Sequence, residues 1–361
     1  MIAKLAALLA TMSVCYAACL SSEIRQIQNP THQATFSPPF SPPWGPDAPR
    51  VLIIGDVHGM LAPLEALLEK ADYSESRGDR VIFAGDMVNK GPESAGVVEL
   101  GMRIGAAGVR GNHEDQVLRT WAGAEMARAD AKANGRDADE AVSEYEASLS
   151  EKELKALETA RSMSPEQRAY SAGLPVVLRL GSLPVLGETA VVHAGMAPGV
   201  DIDDQDPWAL YNVRTLLQLD EDDQFTNETY GAAFEEAVET KLKNMTPGEK
   251  PSSEEIEAEK KKQLGTYGGS NGGFVPIDTN DGQWWVEVWN EVEGAKPQGE
   301  TLSLIYGHDS KRGINIRDYS FGLDSKCVDG GKQGKLTAMV LEPEGIDSLK
   351  HYLVDVDCEG K

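Results

Sequence analysis

The chain has 361 residues, which exceeds the commonest size of one domain but is compatible with a single large α/β domain that carries insertions. Its formal net charge is −24, because 58 acidic residues outnumber 34 basic ones. A field of that sign repels polyanions, so we expect no stable nucleic-acid partner, and any chemistry on phosphates requires a local positive site.

The N-terminal residues 1–20 have the pattern of a secretory signal peptide. Lys4 precedes an apolar stretch from Leu5 to Leu20, and the small residues Ala17 and Ala18 are plausible cleavage positions. An uncleaved anchor is the alternative, although the stretch is shorter than the roughly 20 apolar residues of a membrane-spanning helix. We therefore expect a secretory, vacuolar-lumenal or extracellular protein, which contacts a membrane only if this segment is retained.

Residues 21–49 form a proline-rich segment. The prolines are closely spaced from Pro30 to Pro49. Such density favours extended, polyproline-like chain over a packed element. We therefore predict a linker at residues 21–49.

Three short apolar runs follow, and each ends in a glycine-bounded polar motif. The motifs are Gly55 to Gly59, Gly85 to Gly91 and Gly111 to Glu114. Apolar runs that end in such turns and then open helices predict βαβ units with a parallel sheet. In these sheets ligands bind outside the carboxyl ends of the strands. The sequence therefore predicts that the three motifs meet at one edge of a sheet.

The residue types in the motifs indicate an ion-binding site. They offer carboxylate oxygens, an amide oxygen and imidazole nitrogens, but no cysteine. This ligand set suits zinc, manganese, iron or magnesium and argues against a structural zinc site made of thiolates. An aspartate that bridges two cations about 3.5–4 Å apart is the arrangement used for in-line attack on phosphorus.

These motifs resemble the three signature blocks of the calcineurin-like metallophosphoesterases. Val191 to Gly195 and Ile305 to Asp309 resemble the two later histidine blocks of that family. Asn89-Lys90-Gly91 replaces the Asp-Arg-Gly of the protein phosphatases, and this variant resembles the ApaH-like phosphatases. That branch includes symmetrical diadenosine tetraphosphatases and a fungal vacuolar zinc-dependent endopolyphosphatase.

The resemblance implies an α/β metallophosphoesterase fold, in which central β-sheets are sandwiched by helices. The domain would cover residues 50–361, with helical insertions at about 121–170 and 219–268. The second insertion is rich in acidic residues and lysines, which is typical of a solvated helical face. A basic lid that grips the substrate is the alternative.

The resemblance also implies a centre with two divalent ions, whose identity among zinc, manganese, iron and magnesium stays open. Asp56 and His58 would hold the first ion, and Asp86 would bridge both. The ligands that complete the second ion would be Asn112, His193 and His308.

Four further residues receive roles close to this centre. His113 would protonate the leaving oxygen, and Asn89 stands where protein phosphatases carry an aspartate that orients this histidine. Lys90 stands where they carry a phosphate-binding arginine. Arg214 is a candidate for a second phosphate contact, with a helix-surface salt bridge as the alternative.

The implied reaction is in-line attack by a metal-bound hydroxide on a phosphorylated small molecule or polyphosphate. An amide at Asn89 stabilises a charged imidazole less well than a carboxylate does, which favours the better leaving groups of phosphoanhydrides. Inorganic polyphosphate, cleaved by an endopolyphosphatase, and dinucleoside polyphosphates are the expected substrates. A serine/threonine protein phosphatase and a catalytically inactive binding scaffold are the alternatives.

Secretion would also decide the state of the remaining cysteines and of two glycosylation sequons. Cys327 and Cys358 lie near the C-terminus and form either one disulfide or two free thiols. The sequons begin at Asn227 and Asn244, and they carry meaning only if the chain enters the secretory route.

Overall fold

The computed structural model describes residues 24–40, 49–269, 273–297, 299–345 and 347–358. The predicted signal peptide lies outside these residues, as do residues 41–48 of the predicted linker. Within the described ranges, no helix combines the length and the apolar character needed to cross a bilayer.

A five-stranded sheet carries the first three motifs. Its strand order is β14-β13-β2-β3-β4, in which β2, β3 and β4 are parallel and β13 is antiparallel to both of its neighbours. The strands are β2 (Val51–Ile54), β3 (Arg80–Phe83), β4 (Ala107–Gly108), β13 (Lys335–Gly345) and β14 (Ser348–Asp357). The predicted parallel βαβ arrangement is confirmed for β2 to β4.

A six-stranded sheet carries the two later histidine blocks and packs against the first sheet. Its order is β1-β5-β6-β10-β12-β11. The strands are β1 (Gln33–Phe40), β5 (Val177–Leu183), β6 (Gly187–Val192), β10 (Leu302–Tyr306), β11 (Asn315–Ile316) and β12 (Ser320–Gly322). Val51 and Ile53 of the first sheet face Val191 and Ile305 of the second in one buried cluster. One part of the hydrophobic core therefore lies between the two sheets.

Helices cover the outer faces of both sheets. Leu52 and Ile54 point away from the central layer and pack against α2 and α3, so β2 is apolar on both faces, as expected for a buried parallel strand. On this side lie α2 (Leu61–Lys70), α3 (Ser94–Arg103), α4 (Asn112–Ala133), α5 (Ala138–Ser148), α6 (Glu151–Ser162) and α7 (Pro165–Gly173). The predicted sandwich of sheets between helices is confirmed.

The six-stranded sheet has its own outer layer. It consists of α8 (Pro207–Leu210), α9 (Tyr230–Met245), α10 (Ser253–Tyr267), α11 (Trp285–Gly294) and a small sheet of β7 (Thr215–Gln218), β8 (Phe274–Ile277) and β9 (Gln283–Trp284). Short 3-10 turns occur at Glu75–Arg77 and Gly331–Gln333. Trp285 and Phe234 of this layer share a buried cluster with Leu304 of β10. Helices α4 to α7 fall largely within the first insertion, and α9 and α10 fall within the second.

Part of the predicted linker is packed onto the domain, which corrects the prediction of a wholly extended segment. Residues 24–28 form a short helix, α1, and Ile27 is fully buried. Strand β1 pairs in parallel with β5, starting at Gln33 opposite Val177. Because β1 is an edge strand, it tolerates prolines, which cannot donate to a sheet. Proline density alone therefore did not separate a linker from an edge strand.

The two C-terminal cysteines form a disulfide. Cys327 and Cys358 have Cα atoms 5.2 Å apart and lie 31 positions apart in sequence. Both side chains are buried at the end of the β13–β14 hairpin. Of the two states left open by the sequence, the structure has the bonded one.

Candidate metal centre

The loops after the central strands bring the predicted ligands to one buried point. The Asp86 carboxylate lies in the middle, with Oδ1 3.4 Å from Nε2 of His193 and Oδ2 3.6 Å from Nε2 of His58. Asp56 Oδ2 is 3.9 Å from the same nitrogen of His58. All four side chains are buried. Asp86 thus has the position expected of a bridging carboxylate.

The remaining two ligands, Asn112 and His308, converge on the same point. Asn112 Oδ1 lies 3.0 Å from Nε2 of His193 and 3.2 Å from Nδ1 of His308. Nε2 of His308 is buried and has no hydrogen-bond partner among the described residues. The structure therefore groups all six predicted ligand residues around Asp86 and Asn112.

Backbone carbonyl groups fix the histidine tautomers. Nδ1 of His193 donates to the carbonyl oxygen of Ala84 at 2.8 Å, and Nδ1 of His58 donates to that of Val88 at 3.2 Å. A carbonyl oxygen can only accept, so each Nδ1 carries the proton. Each Nε2 is therefore unprotonated and directs its lone pair toward the centre, which is the usual arrangement of a metal-binding histidine.

Charge gives a separate test of whether cations fit this site. Asp56, Asp86, Glu114 and Asp324 are all at most 5% exposed, and burying carboxylates without counter-charges is costly. Burial raises the pKa of Asp56 well above its usual value, and the charges of Asp324 and Asp86 raise it further. Divalent cations would offset this repulsion, so the donor set and its charge both fit a metal centre.

The ligand loops adopt a conformation that most side chains avoid. His58, Asp86, Asn89, Lys90 and His308 all have positive φ angles, between 48° and 70°. Non-glycine residues in this region are uncommon, and each one costs of the order of 1 kcal/mol or more. Such strain accumulates at functional sites, because it aims side chains in directions that a regular turn does not allow. No sequence pattern had indicated it.

Glycines let the backbone approach the ligands closely. A Cβ atom at Gly307 would lie 2.0 Å from Oδ1 of Asp56, and one at Gly111 would lie 2.2 Å from Oδ1 of Asp86. Both contacts are far shorter than a van der Waals distance. These two glycines are therefore required for space at the carboxylates.

Glu114 holds the ligand loops through backbone hydrogen bonds, a role that the sequence did not indicate. Its Oε2 accepts the backbone N–H groups of Asp86 at 2.8 Å and of Gly111 at 2.9 Å, and its Oε1 accepts that of Val88 at 3.1 Å. Burial raises its pKa to about 7, although the Gly111 and Val88 N–H groups act in the opposite direction. Glu114 is fully buried and ties the loop after β3 to the start of α4.

His113 lies beside the ligands but is oriented by Asn89. The N–H of Lys90 donates to Oδ1 of Asn89 at 3.0 Å, so the Asn89 amide nitrogen faces Nδ1 of His113, also at 3.0 Å. Since an amide nitrogen donates, Nδ1 of His113 accepts and the proton resides on Nε2. That nitrogen lies 4.0 Å from Oδ2 of Asp86. His113 is therefore a neutral imidazole whose N–H is directed at the centre.

The two predicted phosphate contacts lie at the rim. Lys90 Nζ is 3.0 Å from Nε2 of His58 and 3.1 Å from Oδ2 of Asp329. Arg214 precedes β7 and pairs with Asp309 at 3.2 Å, directly after the ligand His308. Arg214 therefore forms an ion pair, in line with the alternative prediction of a salt bridge. The pair lies beside the metal centre, however, and not on a helix surface.

Comparison with known proteins agrees with this site. The family model of the calcineurin-like phosphoesterases matches residues 49–208. The symmetrical bis(5'-nucleosyl)-tetraphosphatase of Methylococcus capsulatus is 26% identical over 318 residues, which are 84% of this chain and 94% of that protein. The protein of the same name from Bordetella pertussis is 42% identical over 72 residues, 19% of this chain and 26% of that protein.

A solved structure shares the fold. The crystal structure described as "a putative diadenosine tetraphosphatase" superimposes with a TM-score of 0.53 at 23% identity, over 90% of this chain and 97% of that one. The family match, the fold and the cluster of His and Asp ligands support the same conclusion. Residues 49–208 are similar to the calcineurin-like phosphoesterases, and the chain is a metal-dependent hydrolase of phosphoric esters or anhydrides.

Proposed function

We propose that the chain hydrolyses phosphoanhydrides, with dinucleoside polyphosphates and inorganic polyphosphate as its substrates. The hydrogen bond from the Asn89 amide to Nδ1 of His113 carries this proposal. A carboxylate in that place would accept a proton from Nδ1 and stabilise an imidazolium, whereas the amide holds His113 neutral. A neutral imidazole is a weak acid, so the site suits leaving groups that need little protonation. Phosphate and nucleotide groups leave more easily than the alkoxide of serine.

The proposed roles follow from the geometry of the side chains. Asp56, His58 and Asp86 would hold one divalent ion, and Asp86 with Asn112, His193 and His308 would hold the other. When bound, such ions polarise phosphoryl oxygens and acidify water. His113 offers its Nε2 proton to the departing oxygen. Lys90 supplies a point charge for the other phosphoryl oxygens, and it must leave His58 and Asp329 to do so.

The relatives support the proposed substrates, and the disulfide supports the expected cellular location. The proteins named above are symmetrical bis(5'-nucleosyl)-tetraphosphatases, whose name describes hydrolysis of a phosphoanhydride chain. The Cys327–Cys358 disulfide favours an oxidising compartment, in line with the secretory, vacuolar-lumenal or extracellular location expected from residues 1–20. Zinc, manganese, iron and magnesium are all compatible with the ligand set.

A substrate competition with one matched variant tests the proposal. Wild-type protein reconstituted with each metal in turn receives diadenosine tetraphosphate, polyphosphate and a phosphoserine peptide at equal concentrations. We expect wild-type protein to hydrolyse one of the two anhydrides fastest. Asn89→Asp should reduce the difference between the anhydride and peptide rates, because it should raise the rate on the peptide. Fastest hydrolysis of the peptide by wild-type protein would support a serine/threonine protein phosphatase instead. Hydrolysis of none of the three, with metal bound, would indicate an inactive scaffold.

A further inference from the structure

A cavity of about 250 Å³ adjoins the second group of ligands, and both insertions contribute to its walls. Asn112 and His308 of the metal centre line one side. Lys152 and Glu153 reach it from the start of α6 in the first insertion, and the end of α9 closes it from the second. The other residues that line it are Asp115, Gln116, Trp208, Tyr211, Asn212, Arg214, Thr240, Asn244, Pro247 and Asp278.

The cavity wall carries two cations, Lys152 and Arg214, and three acidic side chains, and arginines outside the wall offset part of the acidic charge. Asp115 is neutralised by Arg119 at 2.6 Å and Arg110 at 3.3 Å. Asp309 is shared between Arg214 and Arg312, both at 3.2 Å, so that group also keeps one positive charge. Glu153 and Asp278 are the acidic side chains of the wall that form no ion pair in the described part of the chain.

Lys152 adds a cation at an unusual place. It lies in the first turn of α6, where the helix dipole disfavours a lysine by about 0.3–1 kcal/mol, and it pairs with no acidic residue among those described. Glu151 and Glu153 share that turn, and the capping box of Ser150 and Glu153 already engages N–H groups at the start of α6. Lys152 itself is therefore the group of this helix that an anion in the cavity would meet.

The size and walls of the cavity limit what the anion can be. About 250 Å³ is less than the roughly 300–1,000 Å³ of pockets that enclose a drug-sized molecule. Trp208 and Tyr211 are 4% and 2% exposed, so their rings are already packed and offer no open face to a nucleobase. Polar and charged groups make up most of the remaining wall. This space fits a short phosphate chain better than a nucleoside.

We propose that this cavity binds the phosphates beyond the one being cleaved, and that Lys152 selects substrates which carry such a chain. The inference rests on the proposed phosphoanhydride hydrolysis. It places the phosphates of the leaving group in the cavity that the two insertions help to form. Arg214 and Lys152 lie on the same cavity wall as the ligands Asn112 and His308, so a chain that leaves the centre there meets both cations. A monoester with an uncharged leaving group makes no use of Lys152.

Steady-state kinetics of Lys152→Ala test this assignment, with Lys155→Ala as the matched control. Lys155 lies on the same helix, is exposed and pairs with Glu151 at 2.7 Å outside the cavity. We expect Lys152→Ala to raise KM for tripolyphosphate about tenfold, as for one lost charge-assisted contact, and to leave p-nitrophenyl phosphate hydrolysis unchanged. Lys155→Ala should match wild type on both substrates.

A binding measurement separates failure of this inference from failure of the proposed function. Calorimetric titration with non-hydrolysable imidodiphosphate should show weaker binding to Lys152→Ala than to Lys155→Ala, whether or not the wild type cleaves anhydrides. Absence of anhydride cleavage by wild type would refute the proposed function alone. Equal imidodiphosphate affinity of the two variants, or an equal loss of activity on both substrates in Lys152→Ala, would refute the role of Lys152.

Discussion

Replacing Glu114 tests whether one buried carboxylate holds the metal centre in shape. In Glu114→Gln the single remaining oxygen can still accept the N–H groups of Asp86 and Gly111. The new amide nitrogen, however, faces the N–H of Val88, so that a donor meets a donor. The variant exchanges a hydrogen bond to a charged group for a buried, unpaired N–H, a change worth about 1.5–3 kcal/mol. We expect a loss of that size in the free energy of unfolding.

Glu255→Gln is the matched control. Glu255 accepts the N–H of the N-cap residue Ser252 at the start of α10, just as Glu114 accepts that of Gly111 at the start of α4, but Glu255 is exposed and accepts only from Ser252. Water can replace that contact, so its loss should cost less than about 1 kcal/mol. The difference between the variants therefore reports the bond from Val88, in the loop after β3, that Glu114→Gln loses.

Urea unfolding and metal analysis give the two readouts. Unfolding midpoints, followed by circular dichroism, should fall clearly for Glu114→Gln and little for Glu255→Gln. Metal content after dialysis against a limiting metal concentration should fall only in the first variant, because the loop that carries Asp86 loses its anchor at Val88. Equal midpoints and equal metal content in both variants would refute this reasoning.

Three further variants probe the acid, a cavity carboxyl and the disulfide. His113→Asn should retain metal, measured by elemental analysis, while turnover falls by about 10²–10⁴-fold; normal turnover would rule out its role as acid. Burial raises the pKa of Asp278 to about 6, even though Arg214 lowers it, so the native state holds a proton that the unfolded chain has already lost. The free energy of unfolding should therefore fall as pH rises from about 4 to 6. In urea unfolding, Asp278→Asn should be more stable than wild type by up to ~3 kcal/mol at pH 7.5 but by almost nothing near pH 4. An equal stabilisation at both pH values would contradict the predicted direction of the pH dependence. Cys358→Ser opens the loop that the disulfide closes and should lower stability by about 3–4 kcal/mol, an effect that reduction of the wild type should reproduce.

The sequence predicted the central layer well because its signals are local. Each of β2, β3 and β4 precedes a glycine-bounded motif, and the order of strands in a parallel sheet then places the motifs at one edge. Strand β1 could not be predicted in this way, since its pairing with β5 spans more than a hundred residues and its prolines suggest a linker. Pairing partners of an edge strand are set by packing, which no short window of sequence contains.

The ligands could likewise be predicted from local motifs, whereas the residues that support them could not. Asp56, Asp86 and Asn112 each lie inside a motif whose residue types reveal the chemistry. Glu114 lies at the end of a motif but has no such local signal, because its contacts with the loop after β3 lie 26 and 28 positions away in sequence. Lys152 had no signal at all, since its importance depends on where α6 packs relative to His308.

The strained loops explain why the protein, and not the ions, must shape this centre. Positive φ angles at His58, Asp86 and Asn89 oppose folding, so other contacts must offset them. The N–H groups of Val57 and His58 bond the Asp86 carbonyl at 3.1 and 2.8 Å, and Glu114 binds the N–H of Asp86 itself. These bonds lie entirely within the chain and involve no cation. The ligands are therefore preorganised, and the binding energy of the ions remains available for polarising the substrate.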